Sequence, residues 1–268
     1  MNRPHLGLVG VLSLLLNVVA SAQGPLDPPG SPSPSMKSLA EIEPRTAITS
    51  LPFTVTNPGS YYLTGSLTLL LTNQHGITIA ANNVTIDLGG FALIGPGAGF
   101  RNAISQDVFN YSNATVRNGS AVNWGPAGQR AISLAGSAAL VENIAVRQSS
   151  GGISVGLGSI VRNCRIENNV SDSILYGIVA ATGSIVENCT VQNNQTLAGF
   201  LTGIQADVVR NCIVRDCISA ATFTGITVGQ GGRVEGCSVL SCEGATSTYG
   251  IYSQGASLIR DCVVTVIV

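Results

Sequence analysis

One string recurs through this chain and constrains it more than any other feature. Residues 158–166 read Gly-Ser-Ile-Val-Arg-Asn-Cys-Arg-Ile, and residues 183–191 read Gly-Ser-Ile-Val-Glu-Asn-Cys-Thr-Val. Related copies lie at 208–214, 233–239 and 258–264, with weaker ones at 115–121 and 140–146. The asparagine-like position falls at Asn118, Asn143, Asn163, Asn188, Asn211, Gly236 and Asp261, in steps of 25, 20, 25, 23, 25 and 25 residues. A near-fixed period of this size marks a solenoid, whose repeats bury their apolar faces only against one another.

Each copy reads as two short strands around a bend. Val161, Cys164 and Ile166 can point inward while Arg162 and Arg165 point out. Asn163 is the additional residue that keeps Val161 and Cys164 on one side, and asparagine tolerates the left-handed backbone of a tight bend. A second marker, a small residue followed by Ile, precedes each copy: Gly76, Ala103, Ala131, Gly152, Gly177, Gly203, Gly225 and Gly250 each stand before an Ile. Each marker starts another short strand. Three short strands per turn of about 25 residues describe a parallel β-helix. A leucine-rich repeat would need a recurring Leu framework, and helical repeats would need a 3.6-residue apolar pattern; neither is present. The expectation is an all-β solenoid of about eight coils with an N-terminal cap.

Stacked coils place equivalent residues about 4.8 Å apart. The residue before each asparagine-like position reads Arg117, Glu142, Arg162, Glu187, Arg210, Glu235 and Arg260, in a chain that is only 10% charged. The signs alternate without a break. In-register neighbours favour opposite charges, so this row reads as an outward ladder that fixes coil register. At roughly 0.5 kcal/mol per exposed pair its value lies more in specificity than in stability.

Residues 1–22 read as a secretory signal, with Arg3, an apolar run from Leu6 to Ala20 and the small-x-small site Ala20-Ser21-Ala22. The run is short and interrupted by Gly7, Gly10 and Asn17, which argues against a membrane span. The mature chain is therefore expected to be secreted or at the cell surface. Residues 23–38, with Pro25, Pro28, Pro29, Pro32 and Pro34, read as an extended tether. Residues 39–69 are no repeat copy and are assigned to the cap, with Phe53, Tyr61 and Tyr62 covering the open end. The β-helix repeats occupy 70–268, and their variable loops fall at 168–176, 193–202, 219–224 and 243–249. The chain stops within the apolar run Val263 to Val268, which reads as truncation, as an edge that self-associates, or as a tail that folds back as a lid.

The repeated Ile160–Ile166 unit, the Gly-Ile strand starts and the Asn bends resemble the right-handed parallel β-helix superfamily with pectate-lyase-type repeats. The opening, with Pro58-Gly-Ser-Tyr-Tyr-Leu63 and Val84-Thr-Ile-Asp-Leu-Gly-Gly-Phe91, is similar to secreted bacterial members of unassigned function. The resemblance covers roughly residues 40–268 and implies a right-handed coil. It is weak for activity, because the superfamily spans lyases, glycosidases, tailspikes and adhesins.

Enzymes of this kind work on the outer face of one strand stack, where lyases need Ca²⁺-binding carboxylates with a basic residue and hydrolases need two or three acids. The outward row after the markers reads Thr78, Ser105, Ser133, Ser154, Val179, Gln205, Thr227 and Tyr252, with no charged side chain. The row before them reads His75, Asn102, Arg130, Gly151, Tyr176, Thr202, Thr224 and Tyr249. The nearest approach to a catalytic group is Glu167 and Asp172 near Arg165, a polysaccharide lyase or glycosidase alternative to a non-catalytic scaffold. Tyr176, Phe200, Phe223, Tyr249 and Tyr252, in or beside the loops, are the candidate carbohydrate-stacking residues. No cofactor and no metal ligand set is expected. Nucleic acid is excluded as a partner by a net charge of −1 and the lack of a basic patch.

Cys164, Cys189, Cys212, Cys237 and Cys262 share one inward repeat position and read as stacked thiols. Cys217 and Cys242 share another position, nearer a loop, and are the better disulfide candidates. With seven cysteines, at least one stays free or pairs between molecules.

Overall fold

A computed structural model describes residues 44–266, apart from 98, 100, 107–108 and 126–129. The residues read as a signal and a tether, 1–38, and the first residues assigned to the cap lie outside this range. All regular elements among the described residues are strands, twenty-nine of them, and the named strand pairings are parallel. One nine-stranded sheet begins with Phe53–Val55 and Ile77–Ile79 and ends with Ser247–Ser253. The other twenty strands form a continuous sheet that wraps the remaining sides. No described helix is long and apolar enough to cross a membrane.

The small-Ile markers start the strands of the nine-stranded sheet. Ile77, Ile104, Ile132, Ile153, Ile178, Ile204 and Ile226 stack in register and are fully buried. The marker must be small because the chain bends inward there. A Cβ on Gly177, Gly203 or Gly225 would collide with the carbonyl oxygen of the equivalent residue one coil on. A second buried column comes from the repeated string itself: Ile86, Val116, Val141, Val161, Val186, Val209 and Val234.

The bend after this column is left-handed at every copy. Asn118, Asn143, Asn163, Asn188, Asn211 and Asp261 have φ between 50° and 58°, and Gly236 has 61°. A further left-handed corner follows five residues later, at Asn123, Gln148, Asn168, Asn193, Asp216 and Ser241. Its residue types vary too much to stand out as a motif, which is why the sequence pattern shows one corner and the coil has two.

Residues 44–69, assigned to the cap, continue both sheets. Phe53 pairs with Ile77, and Gly59–Leu63 pairs with Val84–Asp87. Thr46–Ile48 pairs in turn with Gly59–Leu63, and Phe53 and Tyr61 meet edge to face at 6.1 Å. Trp124 is a plug that the repeat pattern does not announce: it is buried, touches the backbone at Gly76 and Gly95, and donates its indole N–H to Leu93 O at 2.9 Å.

The seven cysteines are free thiols. Cys164, Cys189, Cys212 and Cys237 are buried in one column, where the backbone N–H of each of the first three points at the sulfur one coil on, at 3.4–3.5 Å. Cys217 and Cys242, read above as the better disulfide candidates, are instead fully buried thiols. They extend an inner polar stack in which Asn169 donates to Asn194 Oδ1 at 2.9 Å and Asn194 reaches Cys217 Sγ at 4.0 Å. The inward side chains of the last described coil, Ile259 and Val264, stay 45% and 46% exposed.

Candidate functional site

The outward row of the nine-stranded sheet runs in register through Thr54, Thr78, Ser105, Ser133, Ser154, Val179, Gln205, Thr227 and Tyr252. Apart from Val179 it is a stripe of hydroxyls and one amide, Gln205, without a charge. Ser105 is fully buried, so the stripe divides into two open stretches. Towards the N-terminal end the surface hollows into a depression of about 310 Å³ whose walls include Thr54, Asn73, Gln74, His75, Thr78 and Arg101. His75 Nδ1 accepts the backbone N–H of Asn102, which sets its tautomer, and Arg101 Nε donates to Asn73 O.

The second stretch carries the aromatics. Tyr176, Thr202, Thr224 and Tyr249 align as the adjoining outward row. Arg130 lies two coils before Tyr176, and the coil between them carries Gly151 at that position. With no side chain in the way, the Arg130 guanidinium reaches across to lie 4.2 Å from the centre of the Tyr176 ring. Burial lowers the Arg130 pKa from its ordinary value, partly offset by Tyr176. Phe200 meets Tyr176 edge-on at 5.6 Å. Tyr249 and Tyr252 form a separate pair, centroids 5.8 Å apart and tilted by 58°, each 46% exposed. Beside Thr227, Tyr252's neighbour in the stripe, a second depression of about 160 Å³ is lined by Thr182, Gln205, Asp207, Thr227 and Gln254, among others.

Phe223 does not join them. It stacks in register with Leu201, which stacks with Leu175, and all three are fully buried. Its ring fills the core and is closed to a ligand. The signal was present: Leu175, Leu201 and Phe223 each stand two residues before a marker glycine, one step inward of Tyr176, Thr202 and Thr224.

The acids are mostly committed elsewhere. Glu167 is buried and accepts from Arg147 Nε at 2.7 Å and Gln192 Nε2 at 2.8 Å, and Gln192 Oε1 accepts from Arg215 at 2.7 Å. It is therefore a rung of a second polar ladder, while Asp172 is an exposed loop residue. Asp207 Oδ2 accepts the Gly183 N–H at 2.7 Å. Among the described residues no group of three or more His, Cys, Asp or Glu is placed to hold a metal ion.

The charge row lies on a different face. Arg117 through Arg260 stack in register, and Asp87 precedes them as an additional rung opposite Arg117. Arg117 Nε meets Asp87 Oδ2 at 3.0 Å, Arg162 meets Glu142 at 2.6 Å, and Glu235 is held by Arg210 at 3.3 Å and Arg260 at 3.1 Å. Burial works to raise the Asp87 pKa, but hydrogen bonds from Gly89 N–H and Asn118, with Arg117 alongside, outweigh it and hold the carboxyl below its usual range.

These stacked strands, corners and ladders agree with a family model for the right-handed β-helix region, which matches residues 102–264. The chain belongs to the right-handed β-helix family. No curated protein and no solved structure matches it. The β-helix family assigns the handedness and the scaffold but no reaction, so the chemistry of this member rests on its own surface.

Proposed function

We propose that this chain is a secreted, non-catalytic β-helix protein that holds a polysaccharide along the polar face of its nine-stranded sheet. The observation that carries the reading is the exposed Tyr249–Tyr252 pair beside the depression containing Gln205, Asp207, Thr227 and Gln254. Aromatic rings offer a rigid apolar surface to a sugar ring at low entropic cost. Amides, hydroxyls and one carboxylate next to them supply directional bonds to its hydroxyls. The same arrangement supports binding over turnover. Glycoside hydrolysis needs two carboxyl groups about 5–9.5 Å apart; Asp207 is the one carboxylate among the described residues of that depression, and one of its oxygens is engaged by Gly183.

The test is a glycan array with the purified chain, repeated with the double variant Tyr249→Ala/Tyr252→Ala. Binding of a polysaccharide that falls at least tenfold in the variant, with no product released on prolonged incubation, is the expected result. Chain cleavage of any bound glycan would overturn the non-catalytic part. N-terminal sequencing of the exported protein checks secretion, with Gln23 as the expected first residue.

A further inference from the structure

We propose that the face carrying the charge ladder is self-complementary and pairs two copies of this chain, antiparallel, about a two-fold axis that runs along the strands between Arg162 and Glu187. Three independent observations place the axis there.

The first is charge. With Asp87 included, the ladder has eight rungs in register, reading Asp87, Arg117, Glu142, Arg162, Glu187, Arg210, Glu235 and Arg260. A two-fold along the strands reverses the order of the rungs and leaves each row facing itself. An alternating row with an even number of rungs then sets every charge against its opposite: Arg162 faces Glu187 of the second copy, Glu142 faces Arg210, and Asp87 faces Arg260. Without Asp87 the count is odd, and a centred reversal would bring like charges together.

The second is the apolar row two residues before the charges. Its rungs read Thr85, Thr115, Leu140, Ile160, Ile185, Val208, Arg233 and Leu258. Four consecutive aliphatic side chains point outward, none of them buried, and Ile160 is 37% exposed. They occupy the third to sixth of eight rungs, so the stripe is centred between Ile160 and Ile185, the same point that the charges select. Reversal places Ile160 on Ile185 and Leu140 on Val208.

The third is Glu187. Arg162 turns to Glu142 and Arg210 to Glu235. Among the described residues Glu187 is left without an ion pair, although an arginine precedes and follows it in the ladder. It stands next to the proposed axis, where the second copy presents Arg162. Opposite charges facing across an interface fix orientation and register more than they add affinity.

Eight rungs of about 4.8 Å and strands of about 10 Å give a face of roughly 400 Å² per copy, half of what a standard stable interface buries on each partner. The pairing is therefore weak and concentration-dependent. The proposal is independent of the glycan reading, which concerns another face.

Sedimentation equilibrium on the purified chain, from low micromolar to about 500 µM, tests it. The expected result is a reversible monomer–dimer equilibrium that weakens as NaCl rises from 50 to 500 mM. Ile185→Asp, and separately Ile160→Asp, weaken it at least tenfold with unchanged circular dichroism. Val170→Asp, at a 50% exposed apolar position outside these two rows, leaves it unchanged and controls for general surface stickiness. A monomer at every concentration overturns the proposal. So does a dimer that survives both aspartate substitutions, the result expected if copies pair through the C-terminal coil edge.

Discussion

Replacing Asn194 by Ala should unseat the inner polar stack. Asn194 is 1% exposed, and its side chain makes three short hydrogen bonds in the core besides the long one to Cys217 Sγ. Oδ1 accepts the backbone N–H of Asn169 at 3.0 Å and its Nδ2 at 2.9 Å, while Nδ2 donates to Ile166 O at 3.0 Å. Truncation removes these bonds and strips the buried Asn169 N–H of its acceptor, while Asn169 Nδ2 keeps only Val146 O at 3.3 Å. A buried orphan group costs about 1–3 kcal/mol and each further lost bond about 0.5–1.5 kcal/mol, so the loss totals about 3–4 kcal/mol. For a domain of this size each kcal/mol moves the melting temperature by about 2–4 °C, giving a drop of roughly 6–16 °C. Gln195→Ala, one residue on and facing solvent, should change it by under about 2 °C. Differential scanning calorimetry of the three proteins reads both shifts. If Asn194→Ala melts within about 2 °C of the wild type, the amide stack does not seal the coil and the reasoning fails. The same burial means that a glycan on Asn194, which heads an Asn-Gln-Thr sequon, would not fit the folded coil.

Three further outcomes follow from the fold. Gly177→Ala should express as insoluble or unfolded protein, because the added methyl meets Gly203 O and lies 2.8 Å from Val191 Cγ1; a soluble variant with native circular dichroism would refute the close-approach account. A thiol titration with Ellman's reagent on the native protein should show one fast equivalent, Cys262, and seven after unfolding. Cys212 resists because its hydrogen bond with Cys189, followed by burial, pushes it up to about 12; three or more fast equivalents would contradict the buried column. The Asp87 carboxyl, depressed in the fold from an ordinary 3.8, contributes stability above that value and loses it as pH falls through the depressed one. Asp87→Asn should therefore be less stable than the wild type near neutrality, with the gap closing below about pH 4, as followed by urea midpoints across pH; a gap constant with pH would refute the linkage.

The sequence exposed the elements that repeat with one side chain per coil. The charge row, the Asn bends and the marker glycines could be read directly because each occupies a fixed place in the string. Asp87 escaped because its coil replaces Asn-Cys with Leu88-Gly89, and the left-handed corner there is the glycine, at φ 59°. The ladder also breaks step at that point, with 30 residues between Asp87 and Arg117. The second ladder, Arg147, Glu167, Gln192 and Arg215, escaped because a glutamine interrupts its charges, so Glu167 looked like a lone acid near Asp172. Phe223 was misplaced for a different reason. Its aromatic type suggests a ligand contact, but its phase, which decides which way a strand residue points, is inward. The Arg130–Tyr176 contact spans two coils over Gly151, a distance that no local pattern encodes.

The most direct test of the functional account is hydroxyl-radical footprinting of the protein with and without its bound polysaccharide. Protection should fall on Tyr249 and Tyr252, with lesser protection at Tyr176 and Phe200, and the charge-ladder face around Ile160 and Ile185 should react equally in both samples. Protection confined to the ladder face, or unchanged reactivity of Tyr249 and Tyr252 at saturating glycan, would contradict the claim that the polar face of the nine-stranded sheet is where this protein meets its ligand.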